Sequence, residues 1–150
     1  MPKEFIMRGK TPSGTTEVLE FGSQARPGYG YRLTEFQILS STDITQQTVE
    51  LAASITADNS HEDPANPNFN NDGLIATAIW NLDFADYQAT HVIINDLFVI
   101  TQDLILAVVD TKTGSPQDVN WQCRFEEIKL SGAAEAVANF KQYSIYNTSQ

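Results

Sequence analysis

The sequence predicts an all-β chain: a single β-sandwich or jelly roll of about eight antiparallel strands, with an extended N-terminal arm and one short C-terminal helix. Three observations carry this. Apolar residues recur at every second position in several short stretches, the period of a strand with one face inward. Gly, Pro, Asn and Asp clusters punctuate those stretches at roughly the 8–12-residue spacing of sandwich turns. The 150 residues suit one core that buries roughly 68% of the chain's surface, so no metal or disulfide staple is needed. Two four-stranded sheets would accommodate eight strands.

Residues 1–14 show no sustained period and carry Gly9, Pro12 and Gly14, which predicts an arm outside the core. A short strand follows over 16–21, then a turn-rich connection over 22–30 with Pro27, Gly28 and Gly30. Within 31–39, Tyr31 and Leu33 alternate before the phase shifts to Phe36 and Ile38; such a shift predicts a β-bulge or a strand that changes sheets. The cleanest alternation is 47–56, with Val49, Leu51, Ala53 and Ile55 inward and Thr48, Glu50, Ser54 and Thr56 toward water.

Residues 57–72 form the longest irregular segment, a length that favours a functional or mobile loop. In 74–84, Leu74, Ala76, Ala78, Trp80, Leu82 and Phe84 alternate with Thr77, Asn81 and Asp83. Ile75 and Ile79 leave a helix as the minority pattern there. A turn or short helical link is expected over 83–89, strands over 91–94, 97–101 and 104–109, and a loop over 110–118. Residues 119–130 alternate again, Val119, Trp121, Cys123 and Phe125 against Asn120, Gln122, Arg124 and Glu126. Ser131 then caps a helix over 131–143, with Glu135 at its positive end and Ala133, Val137 and Phe140 in one stripe, before a polar tail over 144–150. The sandwich is therefore expected over 15–130 of a single domain, and no internal repeat appears.

The net charge is −10, distributed unevenly: residues 1–32 hold five basic and three acidic residues, so the remainder is strongly acidic. An acidic body repels a phosphate backbone, which argues against nucleic acid as a partner. Ser, Thr, Asn and Gln outnumber the charged residues 44 to 28; such neutral polar surfaces are common in β-rich secreted and virion proteins. The N-terminus lacks the apolar run of a secretory signal, and the apolar stretches at 97–100 and 104–109 are far too short to span a bilayer. We therefore expect synthesis in a reducing cytoplasm.

No motif predicts catalysis. Gly9-Lys10-Thr11 resembles the end of a phosphate-binding loop, but Glu4 stands where that motif needs its first glycine. Asn68-Phe69-Asn70-Asn71-Asp72-Gly73 imitates a calcium loop, yet Ile79 occupies the position of the bidentate glutamate. Asp58, Glu62, Asp63 and Asp72 are the carboxylates that a different calcium site would use, although Asn and Asp also serve simply as turn formers. His61, Glu62 and Asp63 fall short of a catalytic metal centre, because His91 is the one other histidine and begins an apolar strand. No Gly-x-Ser-x-Gly elbow is present. Cys123, on the inward phase of its strand, is expected to be an inert core thiol. No catalytic residue, cofactor or metal follows from the sequence. Tyr29, Tyr31, Trp80, Tyr87 and Trp121 raise the alternative of a carbohydrate-binding or receptor-binding module, against which Trp80 and Trp121 sit at core-facing positions.

Three stretches together resemble small virion structural proteins of marine bacteriophages. They are Arg8-Gly9-Lys10-Thr11-Pro12-Ser13-Gly14-Thr15-Thr16-Glu17-Val18-Leu19, Asn66-Pro67-Asn68-Phe69-Asn70-Asn71-Asp72-Gly73-Leu74-Ile75-Ala76, and Val119-Asn120-Trp121-Gln122-Cys123-Arg124-Phe125 with the Ala-rich segment after it. The resemblance implies a jelly-roll decoration protein or minor capsid subunit, located in the virion and assembling with itself and with other capsid subunits. It carries no catalytic residue. On this view the arm becomes ordered on a neighbouring subunit, a symmetric homo-oligomer, taken as a trimer, is expected, and Arg8, Lys10, Arg26, Phe69 and Asn70 are the candidate interface residues.

Overall fold

In the computed structural model, the described residues are 3–21, 27–41, 49–57, 63–83, 87–111 and 116–131, with no description of the side chains of 82, 83, 87 and 88. Eight strands are present: β1 (Glu4–Thr11), β2 (Thr16–Leu19), β3 (Tyr29–Ser40), β4 (Val49–Ala57), β5 (Leu74–Asp83), β6 (Tyr87–Ile94), β7 (Leu104–Asp110) and β8 (Val119–Lys129). They form two antiparallel sheets, one ordered β1-β8-β3 and the other β2-β7-β4-β5-β6. A chain wrapped as one long folded hairpin pairs its first strand with its eighth, second with seventh, third with sixth and fourth with fifth, which is the jelly-roll arrangement. Here the first, second and fourth of those pairings are present, but β6 pairs with β5 instead of β3. The expected four-and-four sheets are thus three and five. The expected helix over 131–143 lies outside the described residues.

β1 departs most from the sequence expectation. The segment expected as an arm pairs with β8 along its whole length, from Glu4↔Glu126 to Thr11↔Val119. Phe5, Met7, Gly9 and Thr11 form its inward face, and the Phe5 ring lies 5.4 Å from Phe125, 5.5 Å from Tyr31 and 6.0 Å from Phe21. The chain then changes sheets through Pro12-Ser13-Gly14-Thr15. Gly14 has φ +80°, and the Thr15 N–H donates to Pro12 O at 3.2 Å, a turn whose third residue favours glycine. That turn is stitched to β7: Gly14 N–H donates to Val108 O, and Asp110 N–H donates to Ser13 Oγ at 2.7 Å.

The phase shift within 31–39 is a register shift between Leu33 and Glu35 against β8. It returns Leu33, Phe36 and Ile38 to one face, where they meet Leu51, Ile55, Leu104, Leu106, Cys123 and Phe125 in the core between the sheets. The expectation of one wet face on β4 is corrected: Ala52, Ser54 and Thr56 are buried along with Leu51, Ala53 and Ile55. β4 is the middle strand of five, flanked by β5 and β7, and its outward residues are too small to rise above flanking Ile79, Ile105 and Val109. Ser54 Oγ and Thr77 Oγ1, cross-strand neighbours on that face, have no hydrogen-bond partner among the described residues. Residues 97–101, expected as a strand, contribute one antiparallel bridge, Tyr31↔Ile100. β6 in turn begins at Tyr87, within the segment expected as a link.

Candidate functional site

The departure of β6 from β3 creates the most distinctive cleft. The Tyr31–Ile100 bridge, with backbone hydrogen bonds of 2.9 and 2.8 Å, closes one end of the seam between the two sheets. At the other end β3 and β6 leave a cleft of about 340 Å³ lined by Trp80, Trp121, Ile38, Thr90 and Val92, with Gln37, Asn120, Gln122 and Arg8 among its polar groups. Alternation along β5 and β8 turns both tryptophans inward, leaving Trp80 4% and Trp121 7% exposed. The Trp121 ring lies over Gly9, where an added Cβ would stand 2.9 Å from its Cζ2. Its Nε1–H donates to Thr11 Oγ1 at 2.9 Å, and the Thr11 hydroxyl donates to Glu17 Oε2 at 3.2 Å. The ring is thus held edge and face by β1. The cleft has an aromatic floor that is already packed and offers no open ring for stacking.

A second hollow, about 210 Å³, lies beside β5 and β6 and is lined by Phe69, Leu74, Thr77, Ile93 and Asn95. Phe69 is 65% exposed at its rim. The loop carrying it is built from side-chain turns: Asp63 Oδ1 accepts from Ala65 N–H, Asn68 Oδ1 from Asn70 N–H and Asn71 Oδ1 from Gly73 N–H, each at 2.9–3.0 Å. Asp63 Oδ2 also accepts from Asn66 Nδ2 at 3.2 Å. Both Asp63 oxygens therefore serve local turns, as short polar side chains in loops commonly do. Asp58, His61 and Glu62 lie outside the described residues. Among the described residues no three His, Cys, Asp or Glu side chains gather as a metal-binding group.

Of the expected interface residues, Arg8 borders the β3–β6 cleft and Phe69 the second hollow. Lys10 and Asn70 are exposed, and Arg26 lies outside the described residues. The structure does not gather the four described residues into one surface. Gly9-Lys10-Thr11 falls on an edge strand, with none of the helix a phosphate loop precedes. His91 is exposed in the middle of β6 instead of opening a buried strand. The strand expected over 91–94 is the second half of β6, but sequence reasoning missed Thr90, Val92 and Ile93 as cleft-lining residues, because which strand edge borders a cleft depends on sheet pairing.

Cys123 is buried on the inward face of β8. Burial pushes its thiol from 9.0 up to about 12, because the apolar surroundings penalise the thiolate. At pH 8 we expect iodoacetamide to label Cys123 only after unfolding; rapid labelling of the native protein would contradict this. Since the folded value lies above the unfolded one, the thiol's contribution to stability is full below about pH 9 and is lost as pH rises from there toward 12. Urea midpoints measured across that interval should fall more steeply for the native sequence than for Cys123→Ala.

No protein-family model matches the chain, and no curated protein sequence matches it.

Proposed function

We propose that this chain is a structural protein of a bacteriophage virion, a decoration protein or minor capsid subunit that acts by self-assembly and shell binding and not by catalysis. The observation that carries the proposal is the strand order. β1-β8-β3 over β2-β7-β4-β5-β6 is a jelly roll with one strand transferred, and jelly rolls serve both capsid and lectin functions. Fold alone does not choose between them. The tryptophans favour the first: both rings of the cleft are spent on packing, with the Trp121 N–H donated to Thr11. A sugar-binding module would present such a ring beside amides. The cleft's amides, Gln37, Asn120 and Gln122, are what speaks for that second function.

The arm has no part in this proposal, since Glu4–Thr11 completes the sheet of its own subunit. The test is to band phage particles from a lysate expressing this chain on a density gradient and quantify it by mass spectrometry. Stoichiometric recovery with the major shell protein is expected. A chain found only in the soluble fraction, and retained by a glycan array, would establish the binding module instead.

A further inference from the structure

We propose that the outer face of the β1-β8-β3 sheet binds an extended acidic segment of a partner protein, through Arg8 and Lys10 and the amides of Gln122 and Gln37 beside them. This rests on the reading of the chain as a protein that works by binding other proteins, and it names the chemistry such a partner would present. The strand register sets the face out in cross-strand rows, because residues directly opposite one another in an antiparallel pair share a face. Glu4, Glu126 and Arg32 form the first row and Ile6, Arg124 and Glu35 the second. Arg8, Gln122 and Gln37 form the third, and Lys10, Asn120 and Leu39 the fourth.

The carboxylates of this face all stand in the first two rows. There Arg124 lies between Glu35, at 3.3 Å, and Glu4, at 3.9 Å, and Arg32 shares its row with Glu126. The third and fourth rows hold cations, amides and one leucine. Arg8, Lys10, Gln37 and Leu39 are exposed and Gln122 is half-buried, so water reaches these two rows in the folded chain. The other sheet has no counterpart to them: its strands carry Glu17, Glu50, Asp83 and Asp110 and no Lys or Arg.

Local charge and spacing choose the occupant. Alternate residues of a strand stand about 7 Å apart on one face, so Arg8 and Lys10 present two cations at the interval of carboxylates at alternate positions in an extended segment. The amides of Gln122 and Gln37 can donate to carboxylate oxygens that the cations leave free. Ile6 and Leu39, 45% and 49% exposed, offer contact to apolar side chains between those carboxylates. Arg8, Gln122, Gln37 and Leu39 also line the cleft over Trp80 and Trp121, an apolar recess continuous with the rows. At physiological salt, charges more than about 8 Å away are largely screened, so a segment lying on these rows meets Arg8 and Lys10 before the acidic body. A long polyanion such as nucleic acid or a sulfated glycan fits worse, because it would run on into Glu35, Glu4 and Glu126. Exposed ion pairs are individually weak, so the contact suits a partner present in many copies.

The test is fluorescence anisotropy of a short labelled peptide that alternates glutamate with threonine, titrated with the full chain at physiological and at high salt. Saturable binding that weakens at least about fivefold at high salt is expected. Arg8→Glu and Lys10→Glu should each weaken it at least about tenfold, with melting curves close to that of the native chain because both side chains are exposed. Lys129→Glu makes the same change of charge at the far end of β8 and should stay within about twofold of the native chain. If Arg8→Glu fails to fold, Lys10→Glu decides alone. No binding of the peptide, equal losses from Lys10→Glu and Lys129→Glu, or binding of heparin with the peptide ignored would overturn the proposal. Peptide binding by a chain that never bands with phage particles keeps this surface and removes the virion function; a particle-bound chain that ignores the peptide does the reverse.

Discussion

Deletion of residues 1–11 is expected to abolish cooperative folding, with a melting transition absent or broadened beyond analysis in circular dichroism. β8 is the middle strand of its sheet. Removing β1 would strip its ladder from Val119 to Glu126, leaving an open edge prone to aggregation. It would also withdraw Phe5 from three aromatic neighbours and Thr11 from the Trp121 indole, whose buried N–H would lose its acceptor. The contrary outcome is concrete: a truncated chain that melts cooperatively within a few degrees of the intact one would mean that the segment is a dispensable arm. A light-scattering experiment on such a truncation therefore reports on folding before it can report on assembly.

Phe125→Ala should be the most damaging single core substitution we can name. The side chain is fully buried at the centre of β8, its ring 5.0 Å from Phe21 and 5.4 Å from Phe5. Truncating such a phenylalanine costs about 3–5 kcal/mol, transfer and cavity together, against a total stability of roughly 5–15 kcal/mol for a domain. The melting temperature should fall by about 6–20 °C for a chain of this size. Phe69→Ala, at a loop position open to water, should stay within about 0.5 kcal/mol of the native chain. Equal losses from the two substitutions in urea unfolding would sink the assignment of the aromatic cluster as the centre of the core.

Much of the architecture was legible along the chain. The alternations over 47–56, 74–84 and 119–130 are β4, β5 and β8, the apolar stretch over 104–109 is β7, and the phase shift after Leu33 is the register shift of β3. β8 announces itself most plainly because its burial alternates residue by residue, and burial on one face is what writes a period of two. The candidate site was less legible. Trp80 and Trp121 were visible as core-facing aromatics, but the cleft they floor exists because β6 turns to β5, a choice between neighbours that no local pattern records.

By itself the sequence determined the class of the fold, its approximate strand count, the inward phase of the longest strands, the inert setting of Cys123 and the acidity that limits which partners can approach. The tertiary structure alone decided three things. It made 4–11 a strand, because Phe5 and Met7 alternate too briefly beside Gly9 and Pro12 to show a period, and their partner is β8, more than a hundred residues away. It buried both faces of β4, because a central position in five strands overrides a pattern of small polar residues. And among the described residues it left β6 with β5 as its one strand neighbour, because whether a strand has one neighbour or two is a property of the assembled sheet and not of the strand.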